Sequence, residues 1–383
     1  MDTPKIIRAC TVPSSLGFVE GMIEYLQQSY EVILLSSPGL AWEQIRIAHP
    51  NVKCVEVCME RRISLMKDLK ALWILWHVFL REKPAMVHSM TPKAGLLCML
   101  AAWLARVPVR VHTFTGLVFP TSVGLKRRVL MATDWLTCAC ATHVIPEGEG
   151  VKRDLMSHGI TKKDIRVLGY GNVRGIDLCR FDPSLNYCLN YDFGCRSNCV
   201  GKSTGSLTFI VVGRLVGDKG INEVVAAFVR LYQEYPIARL VLVGGYEECF
   251  DPLEPKTLEA IERHPAIHAV GVQHDVRPWF AISDVAILAS YREGFPNVVI
   301  EAGAMGLPQI VTDINGANEI IEDGKNGIIV PSKNTDALYK AMMRMTDKEL
   351  RDSLSKNARK MVASRYDQHF VRKCLYDFYK EIL

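Results

Sequence analysis

Apolar and polar positions along this chain repeat at two periods. Short apolar runs, each the length of a buried strand, recur through the first half: Lys5 to Cys10, Glu31 to Leu35, Val52 to Val57, Met86 to His88, Val109 to Thr113, His143 to Ile145 and Ile165 to Leu168. The second half repeats the pattern at Leu207 to Gly213, Leu240 to Val243, Ala269 to Val272, Val285 to Ala289, Gln309 to Thr312 and Gly327 to Val330. Stretches with apolar residues at helical spacing fill most gaps, among them Gly17 to Gln28, Ala94 to Ala105, Lys126 to Cys140 and Ile221 to Tyr235. Apolar strands alternating with amphipathic helices predict parallel sheets covered on both faces. Two such series predict an α/β chain of two doubly wound, Rossmann-like domains. Between them, from about residue 175 to 204, the period fades and Asn, Cys, Ser and Gly accumulate, which marks a hinge.

Composition narrows the partners. A chain of 383 residues has room for two domains, and 49% hydrophobic with 23% charged residues fits a globular protein with large cores. The net charge of +5 permits weak attraction to phosphates or a membrane surface. Nucleic acid is not expected, because no basic stripe is interleaved with aromatic residues. No apolar run reaches the length of a membrane span. The nearest, Ile63 to Leu80, is interrupted by Lys67, Asp68, Lys70 and His77. Arg61, Arg62, Lys67, Lys70 and Arg81 surround its Trp73 and Trp76. Such a helix either lies on an anionic membrane surface or packs one face into a domain core. Twelve cysteines are scattered without a C-x-x-C pair or a leading signal peptide, so they read as free thiols of a cytoplasmic protein, the cluster Cys188, Cys195 and Cys199 included. No metal site is expected.

Two segments carry chemistry. The first is Arg292-Glu293-Gly294-Phe295-Pro296-Asn297, followed by Glu301 eight positions beyond Glu293. It follows an apolar run and opens a helix near Asn297. Free N–H groups at a helix start hold phosphates, and carboxylates accept hydrogen bonds from sugar hydroxyls. The second follows the run Leu207 to Gly213 and places Arg214 and Lys219 before an amphipathic helix. Cations at the carboxyl end of a strand suit a diphosphate, arginine as a bidentate fork and lysine as a point charge. Each segment alone is also compatible with ordinary solvated side chains.

Together, Gly213-Arg214-Leu215-Val216-Gly217-Asp218-Lys219-Gly220 and the run Glu293 to Glu301 resemble glycosyltransferase family 4, retaining enzymes with the two-domain GT-B fold. The likeness continues through Ala302 to Pro308 and Gly316 to Ile321, and it covers nearly all of residues 205–345. The run His88 to Gly95 resembles enzymes of capsule and O-antigen assembly more loosely. The resemblance implies an acceptor-binding domain over 1–178, a nucleotide-sugar domain over 179–365, and a last helix, 366–383, returning to the first domain. Ligand sites favour domain interfaces, so the active site is expected between the domains.

The resemblance also implies roles. Arg214 and Lys219 offset the charge of the departing diphosphate, and no metal is required. Glu293 contacts the donor sugar, with the backbone of Gly294 and Phe295 and the neighbouring Pro296 and Asn297 completing that contact. Glu301 binds the ribose hydroxyls, and Gly271 and Val272 lie where the base would sit. In the first domain, Ser15, Leu16 and Gly17 stand where many relatives carry a glycine pair against the diphosphate. His112 stands near a position where relatives place a histidine directly before a glycine; here Thr115 precedes Gly116. His112 therefore acts from a shifted position or is structural. Lys93 reaches an acceptor phosphate or is solvated, Lys126, Arg127 and Arg128 meet lipid headgroups or an acceptor diphosphate or open a solvated helix, and Glu319 resembles a family position. The expected reaction moves a hexose or N-acetylhexosamine from a UDP-sugar to a polyprenyl-diphosphate-linked saccharide at the inner membrane face. The alternatives are a soluble small acceptor, a GT-B-fold sugar-nucleotide epimerase, or a non-catalytic binding module.

Overall fold

A computed structural model describes residues 3–60, 64–187, 206–247 and 251–383. The thiols Cys188, Cys195 and Cys199 and the cations Arg61 and Arg62 lie outside the described residues. The chain divides into one compact unit of Met1–Gly175 with Gln368–Leu383 and a second of Ile176–Asp367. The expected boundaries lie three residues later at the first crossing and two residues earlier at the second.

The first unit is built on six parallel strands, β1 (Lys5–Ala9), β2 (Glu31–Ser36), β3 (Lys53–Glu56), β4 (Met86–Met90), β5 (Val109–Phe114) and β6 (His143–Pro146), in the order β3-β2-β1-β4-β5-β6. Side chains alternate across each strand, so Ile7, Ile33 and Val87 enter one core and Ile6, Leu34 and Met86 the other. Helices Leu65–Glu82, Pro92–Leu104 and Gly124–Cys140 cover the first face. The helix Gln368–Ile382 covers part of the second, through Leu375, Phe378 and Tyr379. A polar cluster fixes it there. The Arg8 guanidinium and His88 Nδ1 both meet the Tyr379 hydroxyl at 2.5 Å, and His88 Nε2 meets Thr113 Oγ1 at 2.7 Å. Among the described residues Arg8 has no carboxylate partner, although it is 1% exposed.

The second unit repeats the plan. β7 (Leu207–Val212), β8 (Ala238–Val243), β9 (Ile267–Ala269), β10 (Val285–Leu288), β11 (Gln309–Thr312) and β12 (Gly327–Val330) run parallel in the order β12-β11-β10-β7-β8-β9. Helices Ile221–Glu234 and Thr335–Arg344 cover one face. Asn297–Ala304 and the end of Lys348–Tyr366 cover the other. In each sheet the strand order reverses beside the first strand of the unit, at β1/β4 and β7/β10, and ligands of such sheets bind at the carboxyl ends there.

Three expectations are corrected. Ile165 to Leu168 is not a strand: Ile165 enters one core and Leu168 packs against the other, so the segment is an apolar connector beyond the edge strand. β9 stops at Ala269, before Gly271, whose φ of +70° cannot continue a strand, and leaves Val272 exposed. The helix expected from Gly17 to Gln28 is two short pieces, Gly17–Glu20 and Ile23–Gln27. They part at Gly21, where a Cβ would stand 2.5 Å from the Arg372 guanidinium.

Candidate active site

The two sequence segments that carry chemistry meet at the β7/β10 reversal. After β7, the chain runs through Arg214 into a turn, Gly217–Lys219, and then the helix Ile221–Glu234. Gly220 joins turn to helix at φ +68°, and a Cβ there would lie 2.1 Å from the carbonyl oxygen of Ala289, just past β10. Only glycine satisfies both demands. This contact brings the loops after β7 and β10 against each other. Hydrogen bonds then lace them: Tyr291 N–H donates to the Asp218 carbonyl at 2.8 Å, and the Tyr291 hydroxyl donates to Glu223 at 2.6 Å. Asp218 N–H is held in turn by the Asp251 carboxylate at 2.5 Å.

Within this frame Lys219 Nζ forms an ion pair with Glu293 Oε1. The side chains are 21% and 18% exposed, so the pair is shielded but still open to solvent. Ser290 Oγ donates to the same carboxylate oxygen at 2.8 Å. Ser290 is itself held through its carbonyl, which accepts a hydrogen bond from Thr312 Oγ1 of β11 at 2.6 Å. On the far side of Glu293, a Cβ on Gly316 would come within 2.4 Å of the Gly294 carbonyl oxygen, and Gly316 has φ +75°. Its N–H donates to the Glu319 side chain at 3.1 Å, which gives Glu319 the part of a cap. Ser290, Thr312 and Asp251 support the site without having been singled out in the sequence. Ser290 alone left a signal, a hydroxyl three residues before Glu293 at a strand end.

Other expected residues are placed differently. Arg214 turns to Glu247, after β8, at 2.7 Å, and both side chains are partly exposed. Phe295 is 5% exposed and stacks edge-on against Tyr366, with ring centroids 5.5 Å apart. It offers a ligand only its backbone, and Pro296 is likewise buried. Asn297 is the first residue of the helix and Glu301 lies one turn further on. Gly271 and the 73% exposed Val272 stand beyond β9, on the same carboxyl edge of the sheet.

Ser15, Leu16, Gly17 and His112 belong to the first unit. Leu16 is 1% exposed and part of the core, which leaves only its backbone to offer a ligand, whereas a Cβ added at Gly17 would meet nothing within 4 Å. His112 is buried in this structure rather than presented at the surface of the unit. It is 1% exposed, its Nδ1 meets Ser89 Oγ at 2.8 Å, and its ring fills the space that a side chain at Gly95 would occupy. Burial lowers its pKa to about 3, so the ring is neutral. Lys93 is not solvated either: it forms a 2.5 Å ion pair with Asp68, and the two side chains are 11% and 18% exposed. Among the described residues no group of three His, Cys, Asp or Glu side chains is placed to hold a metal ion.

Known proteins carry the same architecture. Residues 18–171 match the glycosyl transferase 4-like domain, and residues 198–361 match the glycosyl transferases group 1 domain. The chain is 29% identical to the capsular polysaccharide biosynthesis glycosyltransferase CapM of Staphylococcus aureus, over 100% of this chain and 98% of the relative. It is 28% identical to the UDP-Gal:alpha-D-GlcNAc-diphosphoundecaprenol alpha-1,3-galactosyltransferase of Escherichia coli, over 80% of this chain and 78% of that one. The fold superposes on Anabaena HepE in complex with UDP and glucose with a TM-score of 0.78, covering 99% of this chain and 100% of that one at 16% identity. With these two domains matched in series over a GT-B fold, the chain is a glycosyltransferase built from a glycosyl transferase 4-like domain and a glycosyl transferases group 1 domain.

Proposed function

We propose that this glycosyltransferase moves a hexose or N-acetylhexosamine from a UDP-sugar to a polyprenyl-diphosphate-linked saccharide, with retention of anomeric configuration, in bacterial surface-polysaccharide assembly. The Lys219–Glu293 pair at the β7/β10 reversal carries the reading. As the bond from the anomeric carbon to the diphosphate breaks, negative charge grows on the leaving oxygen. A fixed ammonium group beside it lowers that barrier without reorganisation. Glu293 holds Lys219 in place before the donor arrives and accepts hydrogen bonds from the sugar hydroxyls afterwards. Arg214, on its flexible stem, adds a second cation, so the diphosphate is met by side chains rather than by a divalent ion. Glu301 takes the ribose hydroxyls, and exposed Val272 offers an apolar surface to the base. The lipid-linked acceptor is supported by the relatives whose names give diphosphoundecaprenol-linked sugars as acceptors, and with such an acceptor the enzyme would work peripherally at the inner membrane face.

Titration of the full chain with UDP, GDP and ADP and their sugars, without metal and followed by thermal denaturation, tests the donor site. A ligand that binds only the native state raises the midpoint with its concentration. A rise with UDP compounds that Lys219→Ala and Arg214→Ala abolish is expected. No rise with any nucleotide would overturn the assignment.

A further inference from the structure

Three neighbouring helices of the first unit, Leu65–Glu82, Pro92–Leu104 and Gly124–Cys140, form one layer over the sheet. The first of them is apolar on two opposite sides. Ala71, Leu75, Val78 and Phe79 point into the core. At 100° per residue, Leu65, Met66, Leu69 and Trp73 gather on the other side, where they are 77%, 81%, 60% and 60% exposed. The third helix repeats this: Cys138 and Cys140 are buried, while Leu125 and Trp135 are 77% and 56% exposed. A helix that is apolar all round has a second face to cover, and clustered exposed apolar side chains mark an interaction surface.

The charges around these stripes identify what covers them. Lys70, Lys126 and Arg128 are exposed beside the apolar positions, while Lys67 is paired with Glu60. The acidic residues of the same helices are turned away. Asp68 is tied to Lys93, and Glu82 is 4% exposed and paired with Lys53. Asp134 is sheltered enough that burial raises its pKa to about 7. An apolar stripe bordered by cations of one sign matches the surface of an anionic bilayer: aliphatic side chains enter the acyl boundary, tryptophans sit at the headgroup level, and lysines bind phosphates. No described helix is long and apolar enough to cross a membrane, so the contact is with the surface.

We infer that the outer face of these three helices seats the enzyme on an anionic phospholipid bilayer, in the interfacial plane. This deepens the proposed use of a lipid-linked acceptor, although it is argued from the face itself. The seat is mechanically joined to the β1/β4 reversal. Asp68, one turn into the lipid-facing helix, grips Lys93 at the first turn of Pro92–Leu104, directly after β4.

The test is co-sedimentation of the full chain with phosphatidylcholine vesicles with and without phosphatidylglycerol. Binding is expected only with the anionic lipid, weakening as salt screens the cations. Leu69→Glu with Trp73→Glu, or Leu125→Glu with Trp135→Glu, should each lower the bound fraction at least about tenfold, because each removes two buried apolar side chains from the lipid. Unchanged thermal midpoints and UDP responses would show these variants folded. Absence of vesicle binding, equal binding by the variants, or a wild-type oligomer that Trp73→Glu dissociates would overturn the inference. Failure of the UDP response with vesicle binding intact would sink the UDP-donor reading alone.

Discussion

The contact that joins the two loops of the candidate site is open to a controlled perturbation, Gly220→Ala. Two effects add. Alanine at φ +68° costs about 1–2 kcal/mol relative to glycine, from its own backbone sterics. The new methyl group would also start 2.1 Å from the Ala289 carbonyl oxygen, where an ordinary carbon–oxygen contact is about 3.5 Å. Relief requires the turn or the end of β10 to move by more than 1 Å, roughly, and forced overpacking of that kind costs about 1–3 kcal/mol. The sum is about 2–5 kcal/mol. Gly306→Ala is the control. Gly306 has φ +78°, but nothing lies within 4 Å of its added Cβ, so it bears the conformational term alone. For a unit of this size each kcal/mol lowers Tm by about 2–4 °C. Calorimetry of the full chain should therefore show a fall of about 4–20 °C for Gly220→Ala and about 2–8 °C for Gly306→Ala, with UDP stabilisation lost only in the former. If the two variants fall equally, the loops are not in forced contact and the account of the cradle is wrong.

Further outcomes follow from single side chains. Glu293→Gln should lower sugar transfer at least tenfold, about the worth of a hydrogen bond to a charged group, while UDP affinity stays within about threefold; an equal loss in both would reassign Glu293 to the diphosphate. Tyr379→Phe strips buried Arg8 of an acceptor and buried His88 of a hydrogen-bond partner, and should cost about 3 kcal/mol in chemical denaturation; a loss below about 1 kcal/mol would show that the cluster does not secure the last helix. Removing Arg214 should leave stability within about 1 kcal/mol, because its ion pair with Glu247 is half in solvent, and a large drop in Tm would contradict that. His112 predicts an acid-side slope. Its folded pKa of about 3 lies below the unfolded value near 6.5, so its full contribution is present above pH 6.5. That contribution is lost as pH falls toward 3, because only the unfolded state takes up the proton, at up to about 1.4 kcal/mol per pH unit. Urea midpoints across that window should fall less steeply for His112→Gln, and identical slopes would refute the buried neutral ring.

The periodicity of the chain alone determined the two parallel α/β units and most strands, because residues buried on both faces of a sheet must be apolar, and that demand is written locally. It also singled out the residue types of the candidate site: Arg214 and Lys219 after one strand, Glu293 after another, Glu301 one turn into a helix. What it did not contain was pairing. Lys219 and Glu293 are 74 positions apart, and only the strand order that sets β7 beside β10 brings them together. Arg214 meets Glu247 rather than Glu293 because β8 is its other neighbour. Burial was equally beyond reach. His112 and Leu16 sit in motifs that resemble functional ones, yet the helix above one and the core around the other withdraw their side chains. The outer face of Leu65–Glu82 shows the same division. Its apolar residues were legible in order, but which of them face the core and which face outward was decided only by the packing of three helices on one sheet.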